Sequence, residues 1–313
     1  MFTLSRSVLA SCALALSVLA SDETANISVK PTCPVGFSIT LFEDDFSHGI
    51  SPLKWTYDLG TSYDGGPPQW GTGEIQTYTK HKSNIDTTPY GTLKITPRVN
   101  NGSWTSARIE TTAIWDFSCH RGERVRAEAR LKLGTNSPSQ SLGIWPAFWS
   151  IGSALRGNYQ NWPAIGEIDI LESINADPRT FTTVHCGDAP GGPCNEFSGL
   201  GSSNTALKRG VWQTIAVEID RRHHFLWPAK KNEESIRWYV NNKLQWTLKQ
   251  SELNDTDAWA AVVGNPKMLL LNVAVGGSFP DAIAGMKTPT NETLGGDGAA
   301  LEVDYVGVYA GVL

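Results

Sequence analysis

The segment Gly166–Ser173 reads GEIDILES and sets three carboxylates within six positions. In a regular strand Glu167 and Asp169 would share one face, and Glu172, three residues beyond Asp169, would point to the other. Ile168 and Ile170 alternate with the acids, but Leu171 then follows Ile170 directly, so two apolar residues stand side by side. A β-bulge resolves both irregularities. Two residues oppose one on the partner strand, the phase shifts by one, and Glu172 returns to the face of Glu167 and Asp169 while Ile170 and Leu171 both lean toward a core. The segment therefore predicts a bulged strand, acidic in front and apolar behind.

Working outward, strand periodicity continues through most of the chain. GERVRAEARLKLG alternates Val125, Ala127, Ala129 and Leu131 with Arg124, Arg126, Glu128 and Arg130, which implies one buried and one wet face. SIRWYVNNKLQWTL carries Asn241-Asn242 at its centre as a hairpin turn. KMLLLNVAVGG is short and continuously apolar, as expected of a strand covered on both sides. Gly, Pro, Asn and Asp fall between these runs, and the expected helices are brief, around 250–256 and 281–286. Many strands with few helices define an all-β sandwich or barrel. Without a linker, repeat or low-complexity tract, residues 21–313 read as a single domain, large but within the range of all-β folds.

The chain has 313 residues, 40 % hydrophobic and 18 % charged, enough apolar content for a sizeable core. Its formal charge is -5, and no basic run exceeds Arg221-Arg222, which argues against a nucleic-acid partner. Twelve Trp are more than such a core needs, and their flat apolar faces with one polar edge suit sugar rings. Residues 1–20 pair Arg6 with an apolar run and end on Val18-Leu19-Ala20, the pattern of a secretory signal peptide; with no later span, a secreted, extracellular protein free of the membrane is expected. Export leaves Cys33, Cys119, Cys186 and Cys194, an even count in an oxidising compartment. Cys186 with Cys194, across GDAPGGP, is the favoured pair, leaving Cys33 for Cys119. A metal site lacks the usual paired spacings, so none is expected from the cysteines. Asn26, Asn101, Asn254 and Asn291 each begin an N-x-S/T sequon.

Three carboxylates on one groove repel and raise one another's pKa, which nothing structural requires. Calcium loops intersperse Gly and Asn on flexible backbone, unlike this strand. Paired carboxylates flanking a bond are the recurring device of glycoside hydrolysis. With one position absorbed by the bulge, Glu167 and Glu172 stand about four pleat steps apart, roughly 13 Å at Cα for ~3.3 Å per residue. Converging side chains shorten this to about 5–6 Å, near the gap of retaining enzymes. Asp169 between them is placed to share a proton. Spacing leaves open which Glu is the acid.

With these residues in place, the sequence resembles glycoside hydrolase family 16, in its fungal laminarinase-type, endo-1,3(4)-β-glucanase branch. GEIDILES is similar to the family's bulged E-x-D-x-x-E signature, and SARIET from Ser106, GIWPAFW from Gly143, NWPAIGEID from Asn161, TTVHCG from Thr182, NVAVGG from Asn272 and VDYVGVY from Val303 extend the likeness over most of the chain. The resemblance implies a β-jelly-roll sandwich with a concave glycan groove and retaining hydrolysis of β-1,3 or mixed-linkage β-1,3-1,4-glucan by a monomer. It assigns Glu167 as nucleophile, Glu172 as general acid/base and Asp169 as helper, with Trp162 as sugar platform and Trp145, Arg108 and His185 lining the groove. Asp304 matches a position that helps hold a structural calcium in some relatives; no other cofactor is implied. Phe279 stands where many relatives carry Trp, which puts subsite preference in question. Transglycosylation, or glycan binding without cleavage on the same fold, are the alternatives.

Overall fold

The computed structural model describes residues 29–222 and 233–311. The signal-peptide segment 1–20 and Asn26 lie outside them. The chain folds into two large antiparallel sheets packed face to face, the all-β sandwich that the periodicity implies. One sheet has seven strands in the spatial order Leu200–Asn204, Thr180–His185, Glu167–Ser173, Ile144–Gly152, Lys267–Val275, Arg108–Thr111 and Trp55–Asp58. The other has eight, centred on Arg124–Leu133 and Leu301–Gly311, with Gln213–Asp220, Ser235–Val240 and Lys243–Lys249 toward one edge. A core cluster running from Phe42 to Ala310 fills the space between them. Among the described residues no helix is long and apolar enough to cross a membrane.

The acidic segment is the third strand of the seven, and the bulge is where the sequence puts it. Asp169 pairs with Trp149, Leu171 with Phe148 and Glu172 with Ala147, so Ile170 has no partner of its own on that side. On the other side the register jumps from Asp169–Thr183 to Glu172–Phe181. Ile170 and Leu171 are both buried in the main core, worth about 1.5–3 kcal/mol each in apolar area removed from water. A bulge disturbs the ladder and frees backbone groups that must be satisfied. Here Trp238, fully buried on the opposite sheet, reaches across the core and donates its indole N–H to the Asp169 carbonyl at 2.9 Å. The strand's entry is fixed by Gly166, at φ +78°, where a Cβ would lie 2.8 Å from the Val262 Cα of the helix Thr256–Gly264. Only glycine combines that dihedral with that approach.

The hairpin at Asn241-Asn242 forms with φ of 49° and 61°, the left-handed pair a tight two-residue turn needs. Lys267–Val275 is buried along its whole length. The strands and helices depart from expectation in three places. The face of Arg124–Leu133 expected to be wet is buried at its centre, where Arg126 meets Glu128 at 2.7 Å and Glu218 at 3.0 Å; paired charges can occupy a covered sheet face that alternation alone marks as solvated. The helical region expected at 250–256 is instead two helices, Gln250–Leu253 and Thr256–Gly264, separated by Asn254 in the left-handed conformation, with Asp255 capping the second. The other expected helix forms slightly earlier, as Ser278–Ala284.

Cys186 and Cys194 form the expected disulfide, with Cα atoms 5.3 Å apart. Cys33 and Cys119 do not pair, contrary to expectation. Cys33 is exposed, whereas Cys119 is buried with its Sγ 3.5 Å from the Ile219 carbonyl, and burial pushes its thiol up to about 12. Elimination assigned the pair by count, and count carries no geometry.

Candidate active site

Alternation along the bulged strand turns Glu167, Asp169 and Glu172 to the same side of the seven-stranded sheet, away from the main core. Their neighbours on Ile144–Gly152 are Ile151, Trp149 and Ala147, and on Thr180–His185 they are His185, Thr183 and Phe181. The strand has sheet on both sides of it, so the carboxylates stand mid-groove. Two cavities of about 360 and 270 Å³ are lined by residues other than the three acids, the larger one by Ser173 and Thr180 among them.

Each Glu is held by one indole. Trp162 donates Nε1–H to Glu167 Oε2 at 2.8 Å, and Trp145 donates to Glu172 Oε1 at 3.0 Å. Both sequence-chosen tryptophans therefore touch the carboxylates directly. An aromatic wall continues on each side. Trp145 meets Phe279 edge-on at 5.7 Å, and Phe279 meets Phe181 at 5.2 Å. Trp162 lies 5.5 Å from the His185 ring and near-parallel to Phe197 at 6.2 Å. Phe197 is 68 % exposed, which leaves its face free for a sugar ring.

His185 comes to the acids from the adjacent strand, its Nε2 3.5 Å from Asp169 Oδ2 and its Nδ1 2.7 Å from Glu196 Oε2. Burial disfavours its charged form, but the Glu196 hydrogen bond and the charges of Glu167, Glu196 and Glu172 outweigh burial and raise its pKa. The donor atoms of Glu167, Asp169 and His185 lie within 4.8 Å of one another. An imidazolium has no lone pair to offer a cation, so the set suits proton sharing better than metal binding.

Arg108 is not on the groove surface, as had been expected. It is 5 % exposed, with Nε on Asp58 at 2.9 Å and Nη2 on the Tyr63 hydroxyl at 3.1 Å. Trp70 and Trp149 rings cover its guanidinium at 4.7 and 4.8 Å. From beneath the groove it acts on Glu167 through its charge, favouring the carboxylate. Asp304 is fully buried; its Oδ2 is engaged by the Arg130 guanidinium and the Val29 N–H, and its Oδ1 meets no hydrogen-bond donor. Among the described residues, no cluster of three or more potential ligands includes it.

The electrostatics separate the three acids. Burial and the neighbouring Glu172 and Glu167 charges push Asp169 well above the ordinary carboxyl range, so it takes a proton first. Burial raises Glu172 to about 7, with His185 and the Trp145 hydrogen bond opposing and Glu167 adding to the rise. Burial raises Glu167 as well, against the restraint of His185, the Trp162 hydrogen bond and Arg108. The arrangement thus holds a carboxylic acid at Glu172, while His185, the Trp162 indole and Arg108 restrain the rise at Glu167, which gives the two acids different environments. The expected kcat/KM profile is a bell. Activity falls as pH rises through about 7 and Glu172 loses its proton, and falls on the acid side as Glu167 gains one. A profile that stays flat from pH 5 to 9 on a soluble glucan would contradict this assignment.

Alternation could not reveal Trp149, whose indole donates to Asn272 Oδ1 at 2.8 Å beside Asp169. Nor did it reveal Glu196 and Phe197. Their signal was present: the favoured disulfide joins the residue after His185 to the residue two before Glu196, and so returns that loop to the site.

A family model described as "XgeA-like, catalytic GH16 domain" matches residues 135–211, which contain the acidic strand. The crystal structure of endo-1,3-beta-glucanase from Streptomyces sioyaensis is 38 % identical and superposes with a TM-score of 0.83, over 91 % of this chain and 100 % of that one. Among curated proteins, the beta-glucanase of Rhodothermus marinus is 29 % identical over 85 % of this chain and 82 % of its own length. The glucan endo-1,3-beta-glucosidase A1 of Niallia circulans is 29 % identical over 92 % of this chain but only 40 % of its own length. With the bulged E-x-D-x-x-E strand in the groove of a matching jelly-roll sandwich, the chain belongs to glycoside hydrolase family 16.

Proposed function

We propose that this chain is a retaining endo-β-glucanase that cleaves β-1,3 or mixed-linkage β-1,3-1,4-glucans. The observation that carries the reading is the co-facial set Glu167, Asp169 and Glu172, with an indole N–H on each Glu. Glu172, protonated near neutral pH, donates to the glycosidic oxygen while Glu167 attacks the anomeric carbon. The resulting glycosyl-enzyme is hydrolysed by water that Glu172, now a base, deprotonates. Asp169, neutral through its neighbours, hydrogen-bonds to Glu167 and spares the nucleophile a second full negative charge at its side. The mid-sheet position supports endo action, since a polymer can pass over strands on both sides. Trp162 and Phe197 on one side, with Trp145, Phe279 and Phe181 on the other, supply stacking faces. Kinship with endo-1,3-glucanases favours β-1,3 linkages. Secretion remains part of the proposal: it is supported by the leader-like residues 1–20, by the Cys186–Cys194 disulfide, and by exposed sequon asparagines at Asn101, Asn254 and Asn291.

Product analysis of the purified protein on laminarin, lichenan and a galactan tests the reading. Mid-length oligosaccharides from laminarin or lichenan are expected, and they fix the linkage preference. Products longer than an oligosaccharide substrate would turn the reading toward transglycosylation, and tight binding of both glucans without cleavage toward a lectin.

A further inference from the structure

We propose that Glu196 is a positioning residue of the hydrolytic site, anchoring His185 through Nδ1 so that Nε2 faces Asp169 Oδ2 at 3.5 Å, and so setting how protons are shared among the acids. The inference rests on the functional reading of Glu167, Asp169 and Glu172 above. Glu196 is remote from the acidic strand in sequence, yet its side chain is fully buried beside the site. Both its oxygens are used. Oε2 meets His185 Nδ1 at 2.7 Å, and Oε1 accepts the backbone N–H of Cys186 at 2.9 Å. A carboxylate accepting two N–H donors is the one side chain of this size that satisfies both.

The surrounding loop is built to keep it there. The disulfide ties Cys186, next to His185, to Cys194, two residues before Glu196. Backbone hydrogen bonds in both directions join Gly191, inside the closed loop, to Glu196 just beyond it. The chain then returns past the imidazole at Gly199, φ +72°, where a Cβ would come within 2.9 Å of His185 Cε1 and 2.3 Å of Thr183 Cγ2. Trp162 closes the other side of the ring. The titratable groups facing His185 are Glu167, Asp169 and Glu172 from the neighbouring strand and Glu196 from the loop, with the Arg108 charge acting on Glu167 from below. A cation fixed among four carboxyl groups lowers the cost of the charge that hydrolysis needs on Glu167.

Glu196→Gln tests this with almost no change of shape. Glutamine offers one acceptor where glutamate offers two, so it cannot serve both Cys186 N–H and a protonated His185 Nδ1. The imidazole is then expected to give up a proton at lower pH than in the wild type. Without that charge Glu167 and Glu172 hold their protons more tightly, and both limbs of the kcat/KM profile move to higher pH. At the wild-type optimum the expected loss is about 10- to 100-fold in kcat, by analogy with removal of the outer hydrogen-bond partner of a metal-bound histidine, with KM within about twofold. Imidazole resonances in the folded protein, with His185 assigned by comparison with His185→Gln, report its titration independently of catalysis. Glu196→Asp, which keeps the charge, is expected to recover part of the rate and the wild-type direction of the titration. An unshifted His185 titration in Glu196→Gln overturns the proposal, as does a shifted titration with unaltered kcat and pH profile. A wild-type protein that cleaves no glucan would fail the functional reading, and the resonance measurement would still decide whether Glu196 governs His185.

Discussion

Glu167→Gln and Glu172→Gln are each expected to remove glucan hydrolysis while leaving a folded protein that binds glucan. The two losses differ in size and kind. An amide at 167 cannot form the glycosyl ester, so the expected fall in kcat is about 10⁴-fold or more, as for loss of other covalent nucleophiles. An amide at 172 cannot donate or recover the proton, and the expected fall is about 10²- to 10⁴-fold. It should shrink on an aryl glucoside whose leaving group needs no proton. Azide separates the roles further. Added to Glu167→Ala with an activated substrate, it should attack from the vacated face and yield the inverted glycosyl azide. Added to Glu172→Ala, it should intercept the glycosyl-enzyme and yield the retained one. The opposite stereochemistry in the two variants would exchange the roles of the two residues. Neither substitution should cost stability, because each replaces an ionisable carboxyl group in a crowded, desolvated set by a neutral amide whose oxygen can still accept the indole N–H.

These roles were partly legible in the chain because strand alternation is strict. A period of two assigns every residue of Glu167–Ser173 to a face, and a break in it, Ile170 beside Leu171, has few physical solutions. Other local signals found the buried Lys267–Val275 strand, from its continuous apolar run, and the Asn241-Asn242 turn, from its residue types. Local reading failed where the third dimension supplies partners. Arg126 and Glu128 alternate like a wet face, yet they are buried because Glu218 and Asn242 complete their hydrogen bonds. Arg108 matched a groove motif, yet Asp58, 50 positions away, and three aromatic rings take it beneath the surface.

The tryptophans show the same division. Their number suggested sugar faces, but Trp55, Trp238 and Trp259 are fully buried, each with its N–H satisfied by an acid or a carbonyl. Trp145 and Trp162 were distinguishable only because they flank the acidic strand in motif. Glu196 was hidden for a different reason. Loop residues obey no period, and its importance comes from a disulfide that folds the loop back on His185.

The bulge itself admits a sharper test than substitution. Deleting Ile170 leaves EIDLES, a strand in which Glu167, Asp169 and Glu172 alternate regularly with Ile168 and Leu171, so all three acids stay on the groove face without any bulge. If co-facial placement were sufficient, the deletion variant would remain active. The bulge does more than restore phase. It bends the strand, adds local twist and presents the Asp169 carbonyl to Trp238, and these fix where Glu167 and Glu172 aim. Misplacement of reacting groups by about 1 Å costs on the order of 10²-fold. The deletion is therefore expected to lower kcat at least about 100-fold. It also removes a fully buried isoleucine side chain, for an expected loss of about 2–5 kcal/mol in urea unfolding, while Ile170→Val, which keeps the bulge, should lose only about 0.5–1.5 kcal/mol and retain near wild-type kcat. A folded deletion variant that hydrolyses glucan at the wild-type rate would reduce the bulge to a spacer. Activity lost only with the deletion, and kept in the valine variant, would show that the extra residue exists for the geometry of the acids and not for the volume it fills.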